Sequence, residues 1–172
     1  MHRAGRRRSV LGLLLAGCGL LLAGPGLAQE AAPTGKTVLT ISGKLAGQPD
    51  AKAIFDLARL EALPQRSFTT QTPWQAQPVQ FSGPLLRDVL AAAKAQGKQL
   101  KAVALNDYKV NIPVSDTQRF DVVLALRING ELIPVRHKGP LFVVYPYDSN
   151  EELRSTLYYS RSIWQLKAIE VE

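Results

Sequence analysis

Hydrophobic and polar residues alternate along much of the chain, and this alternation predicts short β-strands. Residues 36–45 place Val38 and Thr40 on one face of a strand and Leu39 and Ile41 on the other. Residues 139–148 are almost continuously apolar, which predicts a more central strand. The same reasoning predicts strands or extended segments at residues 51–55, 66–74, 100–105, 108–114, 120–130 and 131–135, and a closing strand within 160–172.

Two stretches show helical spacing rather than alternation. Residues 56–64 predict a short helix with Asp56 as its N-cap. The clearest helix is predicted to begin at Pro84, in the first turn, and to end before Gly97 as its C′ residue. The pattern as a whole predicts an α+β fold, in which a mixed, curled sheet of short strands packs against one main helix. The apolar stripe of that helix consists of Leu85, Leu86, Val89, Leu90 and Ala93.

Two polar interruptions between apolar runs predict turns. Asn129-Gly130 is typical of a two-residue hairpin turn. Asn106, Asp107 and Tyr108 separate two predicted strands, and they have two interpretations. They form either a local turn, which Asn and Asp favour, or the lip of a binding site built where a strand ends.

The first 28 residues differ from the rest and predict a signal peptide. A basic start without acidic residues precedes an apolar stretch, and small residues at Gly26 and Ala28 offer a cleavage site. We therefore expect export to a periplasm with cleavage after Ala28, a flexible lead-in at 29–35 and one domain at 36–172, without a membrane span in the mature protein. The basic residues of the start are Arg3, Arg6, Arg7 and Arg8.

Two other export signals overlap this segment. Residues 15–18 read LAGC and match a lipoprotein box, which would make Cys18 a lipidated anchor. The residues after Cys18 stay apolar, where a polar tether would be expected, so we favour the cleaved form. Arg7-Arg8 resembles a twin-arginine signal only weakly.

Composition excludes several classes of function. Of 21 basic residues, four lie in the signal peptide, which leaves 17 against 14 acidic residues and a net charge of about +3. Without a basic stripe, nothing indicates nucleic-acid binding. Cys18 and His2 both lie in the signal peptide, so the predicted mature protein has no cysteine and a single histidine, His137. Disulfides and thiolate ligands are excluded there, and zinc or Ser-His-Asp chemistry is disfavoured.

Four segments in order carry a resemblance to a known family. They read FSGPLLRDVLAAA (81–93), ALNDYKVNIP (104–113), NGELIPVRHKGPLFVVYPYD (129–148) and RSIWQLKAIEV (161–171). Together they resemble the sulfite-oxidase-type molybdopterin-binding oxidoreductase domain, in particular its small exported members. The resemblance implies a mixed α+β fold around a pterin groove. In the larger enzymes of that family a molybdenum cofactor transfers oxygen or electrons to sulfite or sulfoxides.

One departure from the family pattern affects the metal. Those enzymes hold molybdenum through a cysteine on the extended segment before the main helix. Matching Phe68 and Trp74 to the pattern puts Thr70 at that position. A neutral hydroxyl is a poor substitute for a thiolate ligand. We therefore expect no cofactor, with a pterin bound without the metal–sulfur link as the alternative.

The candidate site residues follow from the residues and from the resemblance. The resemblance places the 106–108 turn and Arg161 at the pterin groove, and Thr70 at the former metal position. Arg136, His137 and Lys138 beside Gly139 suggest a phosphate or carboxylate site, and an exposed basic loop is the alternative interpretation. The predicted groove residues are Thr70, Asn106, Asp107, Tyr108, Arg136, Lys138, Gly139 and Arg161.

The function predicted from these residues is that of a small-ligand-binding or sensory-accessory module. Its partners would be a small anionic or pterin-like ligand and an exported partner protein. The alternatives are a molybdopterin-dependent oxidoreductase that uses the cofactor without a cysteine ligand, and a structural domain that binds a partner through sheet edges.

Overall fold

The computed structural model describes residues 34–47 and 50–172. The predicted signal peptide, and all but the last two residues of the lead-in, lie outside these residues. Within them, no helix has the length and apolar character needed to cross a membrane.

The domain contains eleven strands and four α-helices among its described residues. The strands are β1 (Thr37–Gly43), β2 (Ala53–Asp56), β3 (Gln65–Thr70), β4 (Val79–Pro84), β5 (Gln99–Ala104), β6 (Lys109–Pro113), β7 (Val123–Ala125), β8 (Arg127–Ile128), β9 (Glu131–Leu132), β10 (Phe142–Val144) and β11 (Leu166–Val171). The helices are α1 (Leu57–Glu61), α2 (Leu86–Ala92), α3 (Val114–Arg119) and α4 (Thr156–Arg161). Short 3₁₀ turns occupy Val135–His137, Tyr147–Ser149 and Glu151–Leu153.

The largest sheet has five strands in the order β2-β1-β11-β5-β6. The β1–β11 pair is parallel and the other pairs are antiparallel, so the sheet is mixed. Leu39 and Ile41 of β1 are fully buried, as the alternation predicted, and Ile169 of β11 joins them in the core. The α+β fold is therefore confirmed.

A four-stranded sheet in the order β3-β4-β8-β9 and the β7–β10 pair complete the sheets of the described residues. The predicted single strand at 120–130 is in fact two strands with different neighbours: β7 pairs with β10, and β8 pairs with β4. The break falls at Leu126, whose N–H donates to the carbonyl of Ser82. The hairpin turn is confirmed, with φ of 50° at Asn129 and 85° at Gly130.

The start and end of the main helix differ from the prediction. Pro84 ends β4, and α2 begins two residues later, at Leu86. The left-handed residue after the helix is Lys94, with φ of 56°, so the predicted role of Gly97 is wrong. A Cβ on Gly97 would lie 2.3 Å from the carbonyl oxygen of Glu172, so glycine is needed there for close packing of the chain.

Two capping predictions had different outcomes. Asp56 caps α1 as predicted, since its Oδ1 accepts from the Arg59 N–H at 2.8 Å. The position of Asp148 directly before the segment SNEEL (149–153) predicts it as a helix N-cap, but its carboxylate accepts from the N–H of Gln71 at 2.7 Å, and Asn150 caps the 3₁₀ turn instead. The pairing of Asp148 with Gln71 joins positions 77 residues apart, which local sequence cannot reveal.

The apolar segment 139–148 forms a shorter strand than predicted. β10 is fully buried but has β7 as its only strand neighbour in the sheets of the described residues. Its other edge pairs with the backbone of residues 163–164, through an isolated bridge at Phe142 and a hydrogen bond from the Val143 N–H to the Ile163 carbonyl at 2.9 Å, and these residues belong to no named strand. The continuous apolar pattern therefore reflects burial and not a central place in a sheet.

Candidate functional site

An aromatic cavity of about 490 Å³ opens between α4, the β5–β6 turn and the segment after β3. Its size lies within the range of small-molecule sites, roughly 300–1,000 Å³. None of the described residues that line it carries a formal charge. The lining consists of Trp74, Ala104, Asn106, Tyr108, Thr156, Tyr159, Ser160, Ser162, Ile163 and Trp164.

Trp74 lies at the centre of one wall of this aromatic cavity. Its ring centroid lies 5.6 Å from that of Trp164 and 6.2 Å from that of Tyr159, in edge-to-face contacts. Phe142, behind the wall, lies 5.8 Å from Trp74. The four rings pack against one another, and the three that line the cavity together form one wall of it.

Helix α4 supplies lining residues that the sequence analysis missed. Thr156, Tyr159 and Ser160 recur at helical spacing and face the cavity, and Ile163 continues the same series. The adjacent Tyr158 and Tyr159 both lie in this helix, where Tyr158 is buried and Tyr159 lines the cavity. The spacing of three, four and seven residues from Thr156 was the available signal.

The polar tripeptide forms a turn at the mouth of the cavity. Asp107 has φ of 64° and its N–H donates to the Ala104 carbonyl at 3.0 Å. The Tyr108 N–H donates to the Asn106 side chain at 3.2 Å. Asn106 and Tyr108 line the cavity, whereas the Asp107 carboxylate binds Lys167 at 2.7 Å. Lys167 holds the pKa of Asp107 below its usual value. The turn is confirmed, and two of its three side chains lie at the cavity.

A second, basic cavity of about 450 Å³ adjoins the first. Trp164 lines both cavities. The Nζ of Lys138 lies 4.4 Å from the centroid of the Trp164 ring, a cation–π distance. The basic cavity thus begins where the aromatic wall ends. Its lining consists of Gln75, Arg136, His137, Lys138, Trp164 and Gln165.

Gly139 lies beside the basic cavity but has a different role from the one predicted. It is buried, and a Cβ on it would lie 1.8 Å from the carbonyl oxygen of Ile133. Its N–H donates to the Pro134 carbonyl at 2.9 Å. The close approach that requires glycine is therefore to the protein's own backbone and not to a ligand.

Arg161 is not among the described residues that line either cavity. Its guanidinium binds Oδ2 of Asp116 at 2.8 Å, and the Tyr145 hydroxyl donates to the same oxygen at 2.8 Å. Only 4% of the Asp116 side chain and 18% of the Arg161 side chain are exposed. Arg161 is thus held in an internal ion pair, and Tyr145 is buried with its hydroxyl bonded to the same carboxylate.

Thr70, at the expected metal position, is buried and bonded to its surroundings. Its Oγ1 accepts from the Asp148 N–H at 3.1 Å. The Asp148 carboxylate is occupied by the Gln71 N–H and by Arg154 at 3.1 Å, and the Gln71 N–H holds the pKa of Asp148 below its usual value. Thr70 is not among the described residues that line the aromatic cavity.

These donors do not fit a molybdenum ion held through a protein thiolate. The only cysteine of the sequence is Cys18, and a threonine hydroxyl is neutral and hard. The described residues contain no group of three or more His, Cys, Asp and Glu side chains placed to hold a metal ion. The aromatic cavity instead presents aromatic rings and uncharged polar groups.

Comparison with protein families gave one match. The family model of the oxidoreductase molybdopterin-binding domain matches residues 39–149. No curated protein matched the chain. The match begins within β1 and ends after β10, and it spans the buried Thr70, the cavity turn and the basic segment. The chain therefore belongs to the oxidoreductase molybdopterin-binding domain family.

Proposed function

We propose that this domain binds a planar organic anion of pterin-like shape, without a metal–sulfur bond, as a ligand-binding or sensory-accessory module of an exported protein. The observation that carries the proposal is the position of Trp164, which lines an uncharged aromatic cavity and a cavity containing three basic side chains. A ligand with a flat ring and one anionic group would contact both cavities.

The aromatic cavity suits the ring. Trp74, Trp164 and Tyr159 offer faces and edges for offset or edge-to-face contact, each worth about 0.5–1.5 kcal/mol beyond area burial. Asn106 and Ser160 offer neutral hydrogen-bonding groups at the cavity, which match ring nitrogens and carbonyls. An isolated charge on the ring would lack a charged partner among the described lining residues.

The basic cavity suits the anionic group. The Arg136 guanidinium can bind a carboxylate or phosphate through two parallel hydrogen bonds, which makes it the principal anion contact. Lys138 already contacts Trp164, so its charge lies close to the boundary of the two cavities. Because the ring and the anionic group would contact different cavities, each cavity should contribute separately to the affinity for the ligand.

Binding is tested by calorimetric titration of the protein with carboxypterin and with unsubstituted pterin. The Arg136→Ala/Lys138→Asn variant should weaken binding of carboxypterin far more than binding of pterin. Asparagine is chosen because Lys138 has φ of 81°, which asparagine tolerates. Lys94→Asn is the matched control, since Lys94 also has positive φ and does not line the basic cavity.

Two results would contradict the binding proposal. One is the absence of measurable heat with either pterin at millimolar protein and ligand. The other is equal weakening of both ligands by the double variant. Arg161 is left unchanged in this test because its substitution would break the internal pair with Asp116.

The oxidoreductase alternative is tested separately, because family membership favours it. The full chain is produced in a host that makes molybdenum cofactor, and its molybdenum and pterin contents are measured. We expect molybdenum far below one atom per chain. A molybdenum content near one atom per chain, lost in a Thr70→Ala variant, would replace the metal-free proposal with the oxidoreductase.

A further inference from the structure

The oxidisable aromatic side chains of this protein are concentrated in one place. Tryptophan and tyrosine are the side chains whose rings lose an electron most readily. Both tryptophans and four of the five tyrosines form a continuous series of ring contacts, and the fifth tyrosine, Tyr108, lines the aromatic cavity. The series runs Trp164, Trp74, Tyr159, Tyr147, Tyr145 and Tyr158, with centroid separations of 5.6, 6.2, 5.0, 6.5 and 5.3 Å.

This aromatic series connects a cavity with the surface. Its first three rings line the aromatic cavity. Its last ring, Tyr158, is buried, but its hydroxyl donates to Oε1 of Glu152 at 2.6 Å. The Glu152 side chain is 43% exposed and is paired with Arg119 at 2.9 Å. Tyr158 therefore lies one hydrogen bond from a solvent-exposed carboxylate.

Two tyrosines of the series have a carboxylate in position to take the phenol proton. Tyr145 donates to Asp116 and Tyr158 donates to Glu152. Burial raises the pKa of both phenols above the usual value, so both stay protonated until an electron leaves. The hydrogen bond from Tyr158, with Arg119 nearby, holds the pKa of Glu152 below its usual value, so this carboxylate is ionised. Phenylalanine would fill the same space without these bonds, so packing alone does not account for the two tyrosines.

We propose that this aromatic series carries a one-electron oxidising equivalent from the aromatic cavity to Tyr158. The oxidant is a one-electron-oxidised heteroaromatic compound in the cavity, and it is reduced by one electron taken from Trp164 or Trp74. The electron deficit passes ring by ring to Tyr158. There the O–H bond breaks, the proton goes to the Glu152 carboxylate, and a neutral tyrosyl radical remains. One electron and one proton leave Tyr158, so the step balances.

The test places an oxidant at the cavity mouth without depending on the proposed ligand. Leu105 is 44% exposed, between the cavity residues Ala104 and Asn106. The full chain carrying Cys18→Ser and Leu105→Cys is labelled with a ruthenium polypyridyl complex. A laser flash with a ruthenium hexammine quencher then generates ruthenium(III). Transient absorption and electron paramagnetic resonance detect tyrosyl radicals.

The series predicts a specific order of effects. The parent protein should form a radical at Tyr158, identified because Tyr158→Phe removes its spectrum and leaves a radical at Tyr145. Tyr145→Phe should abolish the Tyr158 radical, because phenylalanine keeps the ring contacts but is not readily oxidised, and Tyr145 is the only oxidisable ring in the described series between Tyr147 and Tyr158. Phe120→Leu is the control, since Phe120 packs against Tyr158 at 5.5 Å but is not readily oxidised and lines neither cavity, and it should leave the Tyr158 radical intact.

Two outcomes would overturn the relay: no tyrosyl radical in the parent protein, or an unchanged Tyr158 radical in Tyr145→Phe. Circular dichroism and the urea midpoint verify that each variant is folded. If Tyr145→Phe does not fold, Tyr147→Phe interrupts the series one ring earlier and must give the same loss.

Discussion

Asp116 is the residue on which the interior polar contacts of this domain converge. One of its oxygens accepts from both Tyr145 and Arg161, at 2.8 Å in each case. α3 carries Asp116 and α4 carries Arg161, so the pair ties two helices to the end of β10. The two donors offset the free-energy cost of burying the Asp116 carboxylate. The Arg161 cation, in turn, needs this carboxylate as its counter-charge.

Asp116→Asn should destabilise the domain by about 3 kcal/mol, because it leaves the mostly buried Arg161 without a counter-charge. Urea unfolding at neutral pH measures the change. Asp107→Asn is the control: it removes an exposed ion pair with Lys167 and should leave the midpoint unchanged. Adding Arg161→Met to Asp116→Asn should restore part of the stability, and a double variant no more stable than Asp116→Asn would contradict this account.

Gly139 shows how one residue can be misassigned to a ligand site. Gly139→Ala would place a Cβ 1.8 Å from the Ile133 carbonyl oxygen, so the backbone must move. We expect a loss of about 3 kcal/mol in urea unfolding, at the upper end for ordinary substitutions. In Gly130→Ala, φ is 85° and nothing lies within 4 Å of the new Cβ, so backbone strain alone should cost about 1 kcal/mol. Equal losses of stability in the two variants would show that the contact with Ile133 is not the cause of the destabilisation in Gly139→Ala.

At the scale of elements, the first helix depends on a charged cap. The Asp56 carboxylate accepts from the N–H groups of Arg59 and Gly35, each at 2.8 Å. The Arg59 N–H, followed by that of Gly35, holds the pKa of Asp56 below its usual value. The carboxylate therefore ties the chain before β1 to the start of α1.

The lowered pKa of Asp56 predicts a pH-dependent contribution to stability. Because the folded state binds the proton more weakly, the stabilisation is full above the unfolded pKa, about 3.9, and is lost as pH falls through the lower folded value. Asp56→Asn offers one acceptor oxygen instead of two, so its urea midpoint should fall below that of the parent at pH 7. The difference in urea midpoint between Asp56→Asn and the parent should become smaller below about pH 4. Asp50→Asn, at an exposed position, is the control. A gap that is constant with pH would contradict the role of the charge.

Local sequence patterns predicted elements well and their partners poorly. The alternation in β1 and β11, the Asp56 cap and the Asn129-Gly130 turn each depend on neighbours a few residues away, and all were predicted. The break at Leu126 depends instead on a bond to Ser82, 44 positions earlier, so no local pattern marks it. α4 was missed because it has only six residues, and so short a segment fits an extended conformation as well as a helix.

The same limit applies to the site at the scale of the whole molecule. Asn106, Tyr108, Arg136 and Lys138 were predicted, and they line the two cavities. That Trp164 joins those cavities could not be predicted, because Trp74 packs against it from 90 positions away. Arg161 was expected in the groove because its position matched the family pattern, whereas its partner is set by α3. Residue type and position thus identified four side chains that line the cavities, whereas tertiary packing determined which groups meet.

At the scale of the whole molecule, we propose that a signal peptide is removed and that the mature chain starts at Gln29. The basic start and the apolar stretch that ends in small residues favour cleavage after Ala28, and the apolar residues after Cys18 disfavour lipidation.

Expression of the full chain in a bacterium with a periplasm should release a protein whose N-terminal sequence begins at Gln29 and whose intact mass corresponds to residues 29–172. Cys18→Ser should not change that product. Recovery in the membrane fraction with a diacylglyceryl group on Cys18, or of the uncleaved chain, would contradict it. Cleavage would also remove four arginines, so the released protein should bind a cation exchanger more weakly than the precursor at neutral pH.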